Sequence, residues 1–311
     1  MLRLPKPLAI SAVMFCGFAL VAVSCSRPGP RIIPGELGPT TTKITDSDDP
    51  EYPGVVLELS GRDVTDAVLR EWIAKSQEIE KPLSVLILSY SSITDDGLES
   101  LEGLKAVRSV SLVHTKITAT GLKHLQRLPN LERLYLTNTK VGDDGLKNLK
   151  GIKPLRSLFL GGTGITGDGV AHLKDMIQIR LLWLCDARLT DDSLQHLEQL
   201  TDLIDLNLAS TPITDAGLSH LRGLKQLREL NLYGTHISDS GLEHLAGLSE
   251  LRRVSLGGTS ITDGGMAHLN RWNKLESLIC DETKVTEAGV KTIHGFAPDA
   301  RVYIPGPRER R

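Results

Sequence analysis

Apolar and polar positions follow a fixed period of 24 residues along most of the chain. The period begins at Leu83 and runs without insertion or deletion through Pro298, which gives nine consecutive units. Within each unit, positions 1, 4, 6, 11, 16, 19 and 22 are apolar in every copy, if Cys280 is counted with the small hydrophobic residues. A repeat of this length predicts a solenoid in which each unit packs against its neighbours.

Each unit predicts one strand and one helix. The first six positions read L-x-x-L-x-L, and the alternation at positions 4 and 6 indicates a short strand. The last third reads L-x-x-L-x-x-L, which is the spacing of an apolar helical stripe. Between them lies T-x-I-T-D-x-G-L, in which Thr214 is expected to accept hydrogen bonds from the first helical amides and Asp215 to favour the positive end of the helix dipole.

Position 9 is serine or threonine in all units except the one that carries Ala187. It lies where the chain leaves the strand, so its hydroxyl is expected to bond backbone groups of the next turn. The hydroxyl residues at position 9 are Ser91, Thr115, Thr139, Thr163, Thr211, Thr235, Thr259 and Thr283.

The segment ITDAGLSHL and its eight variants resemble the leucine-rich repeat superfamily, in particular its ribonuclease-inhibitor-like and cysteine-containing types. The resemblance covers roughly residues 54 to 304. It implies an α/β solenoid of horseshoe form, with a parallel β-sheet on the concave side and helices on the convex side. Those types usually carry Asn or Cys at position 9, where this sequence has Thr, and their shared scaffold implies no particular activity.

The segments that flank the repeats predict two caps and a tether. Residues 54–82 fit an irregular N-terminal capping repeat, and residues 299–311 supply one more strand followed by a polar tail. Residues 25–53 are rich in proline and lack the apolar content of a core, so they are expected to form a semi-extended tether.

Residues 1–24 have the layout of an export signal: a basic start is followed by an apolar run too short to span a bilayer. The end of this run resembles the bacterial lipobox, in which the cysteine, here Cys25, is lipidated and becomes the new N-terminus. The sequence therefore predicts an exported lipoprotein anchored to a membrane, and Ser26 favours the outer membrane in an organism that has two.

The net charge, the histidine spacing and the motif content argue against several functions. The formal net charge is −2, which disfavours nucleic acid as a partner. Position 18 is histidine in six units, but one histidine per repeat cannot converge on a single ion, so no metal site is expected. No catalytic or cofactor-binding motif stands out from the periodic residues, and we expect neither enzymatic activity nor a cofactor.

The concave side is where the repeats differ. Positions 3, 5 and 7 of each strand point away from the core, and three successive units carry aromatic residues at position 5. Arginine, acidic and asparagine side chains surround these aromatics, a composition typical of the centre of an interface. The candidate ligand-binding residues are Arg133, Tyr135, Arg156, Phe159, Arg180, Leu181, Trp183, Asp205, Asn207, Glu229, Asn231 and Tyr233.

These features favour a non-enzymatic scaffold of the cell envelope that binds an unknown protein on its concave face. The first alternative is glycan binding, with sugar rings stacked on Tyr135, Phe159 and Trp183 and with Asn207 and Asn231 as hydrogen-bond donors. A second alternative is a passive structural component of the surface, in which the aromatic residues only stabilise the sheet.

Overall fold

The structure, a computed structural model, describes residues 41–47 and 51–304. Its strands form a twelve-stranded sheet in which each strand neighbours the next one in the chain. The strands are β1 Thr41–Asp46, β2 Val55–Ser60, β3 Leu83–Ile87, β4 Ser109–Ser111, β5 Arg133–Tyr135, β6 Ser157–Phe159, β7 Leu181–Trp183, β8 Asp205–Asn207, β9 Glu229–Asn231, β10 Arg253–Ser255, β11 Ser277–Ile279 and β12 Arg301–Tyr303. The predicted leader and Cys25 lie outside the described residues.

From β3 to β12 the strands are parallel, and each residue pairs with the residue 24 positions later, as Tyr135 does with Phe159. Side chains at the same repeat position therefore form straight rows across the sheet, and we number each row by that position. Rows 3, 5 and 7 face away from the core, and we call that side of the sheet the concave face. The predicted α/β leucine-rich-repeat solenoid agrees with this architecture.

Short helices return the chain from one strand to the next, and several of them contain 3-10 turns. The α-helices are Asp66–Ser76, Leu122–Leu125, Gly142–Leu149, Gly167–Val170, Asp215–Leu218, Asp239–Leu245, Asp263–Met266 and Glu287–His294. The 3-10 helices are Asp95–Leu101, Ala171–Leu173, Asp191–Leu197, Ser219–Leu221 and Ala267–Leu269. A 3-10 helix rises about 2.0 Å per residue, more than an α-helix, so it spans a connection of a short 24-residue unit in fewer residues.

One apolar core runs the length of the solenoid, from Val55 to Ala300. The repeated leucines are almost completely excluded from solvent, and Trp272 fills the place of a leucine at position 22. Its indole Nε1 donates to the carbonyl of Leu245 at 3.2 Å, which satisfies the polar atom that the larger side chain brings into the core.

The position 9 hydroxyls bond backward along the chain, whereas the sequence suggested the next turn. In all eight units that have one, the hydroxyl donates to the carbonyl three residues earlier, at the end of the strand; Thr211 and Leu208 are an example at 2.6 Å. The bond closes the turn that follows the strand, and there the hydroxyl replaces the Asn or Cys of the related types.

The aspartates at position 13 bond the neighbouring unit more than their own helix. Each carboxylate accepts from the amide and the hydroxyl of the Ser or Thr at position 12 of the next unit, at 2.5–2.8 Å. The pairs are Asp66–Thr94, Asp95–Thr118, Asp143–Thr166, Asp191–Thr214, Asp215–Ser238, Asp239–Thr262 and Asp263–Thr286. The predicted cap exists as well, since Thr214 accepts from the amide of Ala216, but at 3.4 Å it is the weaker bond.

This ladder explains the glycine at position 15. In the seven units that receive the carboxylate, a Cβ on that glycine would lie 2.2–2.5 Å from the aspartate Oδ1. Ala119 and Gly167 replace the aspartate in two units. The unit after Ala119 keeps Gly145, whereas the unit after Gly167 carries Ser193 in place of the glycine. The Ser193 hydroxyl accepts from the amide of Thr190 at 2.9 Å, so it supplies the oxygen that the missing carboxylate would provide.

At the N-terminal end, residues 55–76 form a strand and a helix, as expected for a capping repeat. The predicted tether is wrong for its last part, because Thr41–Asp46 forms β1 and pairs antiparallel with β2. An antiparallel strand covers the edge of β2, which would otherwise present unpaired backbone groups.

Candidate binding site on the concave face

The three aromatic residues of row 5 lie side by side, as the repeat predicts. The rings of Tyr135 and Phe159 stack with centroids 4.3 Å apart and planes 6° apart, and Trp183 meets Phe159 edge to face at 5.0 Å. Leu181 packs against this cluster from row 3. Phe159 and Trp183 are only 3% and 5% exposed, and the contacts among the rings contribute to this burial.

Trp183 connects the aromatic cluster to a buried acid. Its indole Nε1 donates to Oδ2 of Asp205 at 3.1 Å. Burial raises the pKa of Asp205 to about 7, and the negative charge of Glu229 adds to the rise; the Trp183 bond and the positive charge of Arg253 act in the opposite direction. A carboxyl group on this face therefore changes its protonation near neutral pH.

A cavity of about 180 Å³ lies beside this acid and is lined by Trp183, Asp205, Glu229, Asn231, Arg253 and Ile279, among others. Glu229 forms an ion pair with Arg253 at its mouth. Asn231 lies in the wall, but its Oδ1 accepts from the amide of Tyr233 at 3.0 Å. Asn207 makes the equivalent bond to Ala209, so the amide oxygens of both asparagines support the local backbone.

Arg133 contacts the chain's own N-terminal segment. Its guanidinium bonds Glu51 at 2.7 Å and lies over the Tyr52 ring, with Cζ 4.2 Å from the centroid. We call residues 51–54 the strap. The Tyr52 hydroxyl donates to Glu132 at 3.3 Å, and burial raises the pKa of Tyr52 above its usual range. The expectation that Arg133 borders an open patch is therefore wrong on its N-terminal side.

Tyr52 covers the apolar start of the concave face. It is 3% exposed and packs against Val56, Val85 and Ile87, which face outward from β2 and β3. Sequence reasoning missed this contact because residues 51–54 precede the periodic part of the chain. The outward-facing valine and isoleucine were the only signal that some segment must lie on them.

Row 2 forms the N-terminal edge of the same face and is rich in arginine. Near its ends, Arg108 pairs with Glu132 at 2.7 Å and Arg252 pairs with Glu276 at 2.8 Å. The three arginines between these pairs are exposed, and within residues 41–47 and 51–304 none of them forms an ion pair: Arg156, Arg180 and Arg228. The first two were predicted, whereas Arg228, which lies outside the aromatic strands, was not.

Tyr233, the remaining predicted residue, lies in row 7 on the far side of the cavity. Its side chain is half-buried, and its hydroxyl donates to Glu282 at 2.8 Å. It packs against Cys185 and Ala209 rather than against the aromatic cluster. Eight of the twelve predicted residues therefore form two adjoining groups: Tyr135, Phe159, Leu181 and Trp183 are one cluster, and Asp205, Asn207, Glu229 and Asn231 line the adjoining cavity.

The histidines of position 18 lie on the helical side, and three of them contact charged residues of the preceding unit. His220 Nδ1 lies 2.6 Å from Glu198, His268 lies 3.7 Å from Glu243, and His244 contacts Arg222. In the described part of the chain, no group of three or more His, Cys, Asp or Glu side chains could hold a metal ion. Cys280 is a free, buried thiol whose pKa is raised to about 12 by burial.

A second cavity, of about 370 Å³, lies where the first strands end and was not predicted. Tyr90 and His114 stack there at 4.8 Å, and His114 Nε2 lies 3.0 Å from Asn138 Nδ2. Tyr90 and His114 have φ angles of 61° and 56°, a backbone conformation that is uncommon for large side chains. Position 8 takes this conformation in every unit, so the turn itself imposes it.

A match to one family model supports the repeat architecture. The family model described as "Leucine Rich repeat" matches residues 81–101, 127–150 and 225–246, which confirms the resemblance drawn from the repeated motif. The chain is similar to an internalin (inlF) from Listeria monocytogenes, with 21% identity, a TM-score of 0.44, and coverage of 81% of this chain and 82% of that chain. No curated protein matches the sequence. No helix among the described residues is long and apolar enough to cross a membrane.

Proposed function

We propose that this leucine-rich repeat protein binds a protein partner on strands β5 to β9 of its concave face. Leucine-rich repeat domains are generally protein-interaction modules, and their parallel sheet offers an extended surface for a partner. The observation that carries the proposal is the contrast along row 2. Arg156, Arg180 and Arg228 are exposed without a described ion pair, whereas the arginines nearer both ends of the row are neutralised by glutamates.

Groups suited to a protein interface surround these arginines. Tyr135 and Leu181 are half-buried in the aromatic cluster, and Glu229 and Asn231 line the adjoining cavity. Arginine and aromatic side chains contribute most of the energy in protein interfaces, because they combine a large contact area with directional hydrogen bonds. The proposed role is binding without catalysis.

Glycan binding is the weaker candidate on the same surface. A sugar ring needs an open aromatic face, but Tyr135 and Phe159 stack on each other and Phe159 meets the edge of Trp183. The amide oxygens of Asn207 and Asn231 also accept backbone hydrogen bonds, which leaves only their NH2 groups for a ligand. No comparable objection applies to a protein partner that uses the exposed arginines.

The cellular setting that we propose follows from the leader: export, followed by lipid attachment at Cys25. Cys25→Ser should then release the protein from membranes or leave the leader uncleaved. Fractionation and mass analysis of the two forms test this, and processing identical to the wild type would contradict lipidation.

The experiment that tests the binding proposal places a photo-crosslinking phenylalanine analogue at Tyr135, in native envelopes. The matched control carries the same analogue at Gln195, an exposed position on the helical side. We expect a discrete protein adduct from position 135 alone, and its loss when Arg156 and Arg180 are both changed to glutamate. Equal adducts from both positions, or no concave adduct from a folded protein, would contradict the proposal; a heterogeneous saccharide adduct would favour the glycan.

A further inference from the structure

The cavity beside Asp205 has room for one side chain. Its volume is about 180 Å³, which is below the range typical of small-molecule sites. Residues of β7 to β11 line it, among them the apolar Leu230, Val254 and Ile279. Ile279 is 37% exposed, so the cavity opens toward solvent on the concave face. An apolar wall of this kind suits the methylene stem of a long side chain.

Asp205 offers this cavity one carboxylate oxygen. The residue is 8% exposed, and its Oδ2 accepts from Trp183 Nε1 at 3.1 Å. Its Oδ1 accepts no hydrogen bond from the residues that the structure describes, and it is not among the atoms sealed from solvent. A buried carboxylate normally accepts several hydrogen bonds, because an unbonded oxygen loses its hydration without compensation. The Oδ1 atom is therefore available to a donor that enters the cavity.

The charges around Asp205 are unbalanced. Glu229 of β9 and Arg253 of β10 form an ion pair at the mouth of the cavity, and Arg253 also lies 3.7 Å from Glu276 of β11. The guanidinium of Arg253 is thus shared by two carboxylates, and within the described ranges no cation forms an ion pair with Asp205. When Asp205 is ionised, the cavity therefore carries a negative charge that a cationic ligand would neutralise.

We propose that this cavity receives a lysine side chain of the protein partner, whose ammonium group donates to Asp205 Oδ1. An ammonium fits better than a guanidinium, because Asp205 presents one oxygen rather than the two that a guanidinium engages. The hydroxyls of Ser255 and Ser277 line the same cavity and are acceptors for the other ammonium hydrogens.

This inference rests on the proposed function and adds a feature of its partner. Arg180 and Arg228 precede the strands on either side of β8 in row 2, but neither lines the cavity. The partner therefore needs acidic groups at the edge of the sheet and a lysine that enters the cavity.

Protonation of Asp205 should control this interaction. A lysine ammonium stays charged between pH 6 and pH 8, so its affinity follows the ionised fraction of Asp205. The pKa of Asp205 is raised to about 7 by burial and by the charge of Glu229, and the opposing effects of Trp183 and Arg253 are smaller. The ionised fraction then rises about tenfold from pH 6 to pH 8, and the affinity for an ammonium should rise by the same factor.

The test uses n-butylammonium, which has the structure of a free lysine side chain, as the probe and the full chain as the receptor. The neutral control is 1-butanol, which has the same number of heavy atoms. Binding is followed by NMR at the indole N–H of Trp183, because this group donates to Asp205. The chain has three tryptophans, and Trp183→Phe identifies the signal. We expect a saturable shift with the amine, about tenfold tighter at pH 8 than at pH 6, and none with the alcohol.

Three variants locate the site. Asp205→Asn keeps the size of the side chain but removes its charge, and Ser255→Leu keeps the charge but occupies the cavity; each should weaken the amine at pH 8 at least about tenfold. Asp202→Asn is the matched control, because it removes the charge of an exposed aspartate just before β8, and it should weaken binding less than about twofold. Circular dichroism verifies that each variant is folded, and the two aspartate variants decide the result if Ser255→Leu is not.

Several outcomes would overturn the inference. Equal binding of the alcohol would mean a merely apolar cavity, and an equal loss with Asp202→Asn would mean attraction by overall charge. An affinity independent of pH, or a dissociation constant above about 0.1 M at pH 8, would show that Asp205 does not receive the ammonium. Each of these results leaves the proposed function standing if the crosslinker at position 135 still captures a discrete protein. Failure of that crosslink together with saturable, pH-dependent amine binding would instead contradict the proposed function and not the preference of the cavity for an ammonium.

Discussion

The concave face has two regions that meet at Arg133. They differ in how their outward-facing apolar side chains are shielded from solvent. On β2 and β3 the outward rows carry Val56, Val85 and Ile87, and Tyr52 of the strap covers them. From β6 to β9 no described segment crosses the face, and the aromatic residues pack against one another instead. Among the described residues, the strap therefore covers outward-facing apolar side chains near the end of the solenoid, whereas strands β6 to β9, which we call the open region, combine clustered rings with exposed arginines.

The largest expected effect concerns the covered region. Tyr52→Ala removes a ring that is 3% exposed and uncovers the apolar residues beneath it. Truncation of a buried aromatic residue costs about 3–5 kcal/mol, and we expect a loss of this size in the free energy of unfolding. Chemical denaturation measures it, and hydrogen exchange should show that β2 and β3 open first, since repeats interact mainly with their neighbours.

Tyr303→Ala is the control for this change, because Tyr303 is 52% exposed at the other end of the sheet and its loss should cost less than about 0.5 kcal/mol. Equal effects of the two changes would mean that the strap contributes no more than a surface residue. The strap would then not stabilise β2 and β3 by covering them.

The second effect concerns the acid of the open region. Burial raises the pKa of Asp205 from 3.8 to about 7, so between these pH values the folded chain retains a proton that the unfolded chain has released. Stability therefore falls as the pH rises through this window, and the whole penalty is present above pH 7. Three pKa units correspond to an upper bound of about 4 kcal/mol.

Asp205→Asn should remove this pH dependence and raise stability at pH 8 relative to the wild type. Denaturation at pH 5 and pH 8 compares the two, with Asp202→Asn as the exposed control. An identical pH slope in the wild type and Asp205→Asn would show that the carboxyl group does not titrate as described. A carboxyl group that lowers stability at neutral pH is a feature expected at a binding surface, where side chains are retained for function at the expense of stability.

The third effect concerns the irregular repeat, in which Gly167 and Ser193 lie in connecting helices on the helical side of the solenoid. Ser193→Gly removes an oxygen that Thr190 uses, and Gly167→Asp brings a side chain to within contact of Ser193. Each single change should cost about 1–2 kcal/mol, whereas the double change restores the regular pair and should be nearly neutral. A double-mutant cycle measures this coupling. Additive losses would mean that Ser193 does not substitute for the aspartate.

Sequence periodicity predicted which side chains point to which face, because strand alternation and the 24-residue period leave few choices. It therefore placed Tyr135, Phe159 and Trp183 in one row. The ladder from position 13 to the next unit was missed, and of the two units with a small residue in place of the aspartate only the one with Gly167 is followed by a change at position 15, Ser193. The 24-residue period shows where the apolar positions of one unit lie. It does not show which polar positions of neighbouring units contact each other.

The strap could not be predicted in the same way. Its contacts join residues about 80 positions apart, and nothing in the spacing of residues 51–54 indicates where on the sheet they lie. The bonds of Asn207 and Asn231 to their own strands were also invisible, because an asparagine at an outward position has the same sequence signature whether it binds a ligand or its own backbone. Roles of single side chains therefore required the structure.

The smallest expected effect is a difference in stability between two arginine variants of row 2. Arg108 pairs with Glu132 beside the strap, and Arg156 stands two strands further along without a described ion pair. Arg108→Ala should cost up to about 1 kcal/mol, because its loss also leaves Glu132 with one partner fewer, whereas Arg156→Ala should change stability by less than about 0.5 kcal/mol. Denaturation at low and high salt measures both, and only the Arg108 effect should shrink with salt. If Arg156→Ala is the more destabilising change, then Arg156 supports the fold, and the open region loses its best evidence for a partner. If the order is as expected, the charge of Arg156 contributes little to the folded chain, which is the property expected of a side chain kept for binding.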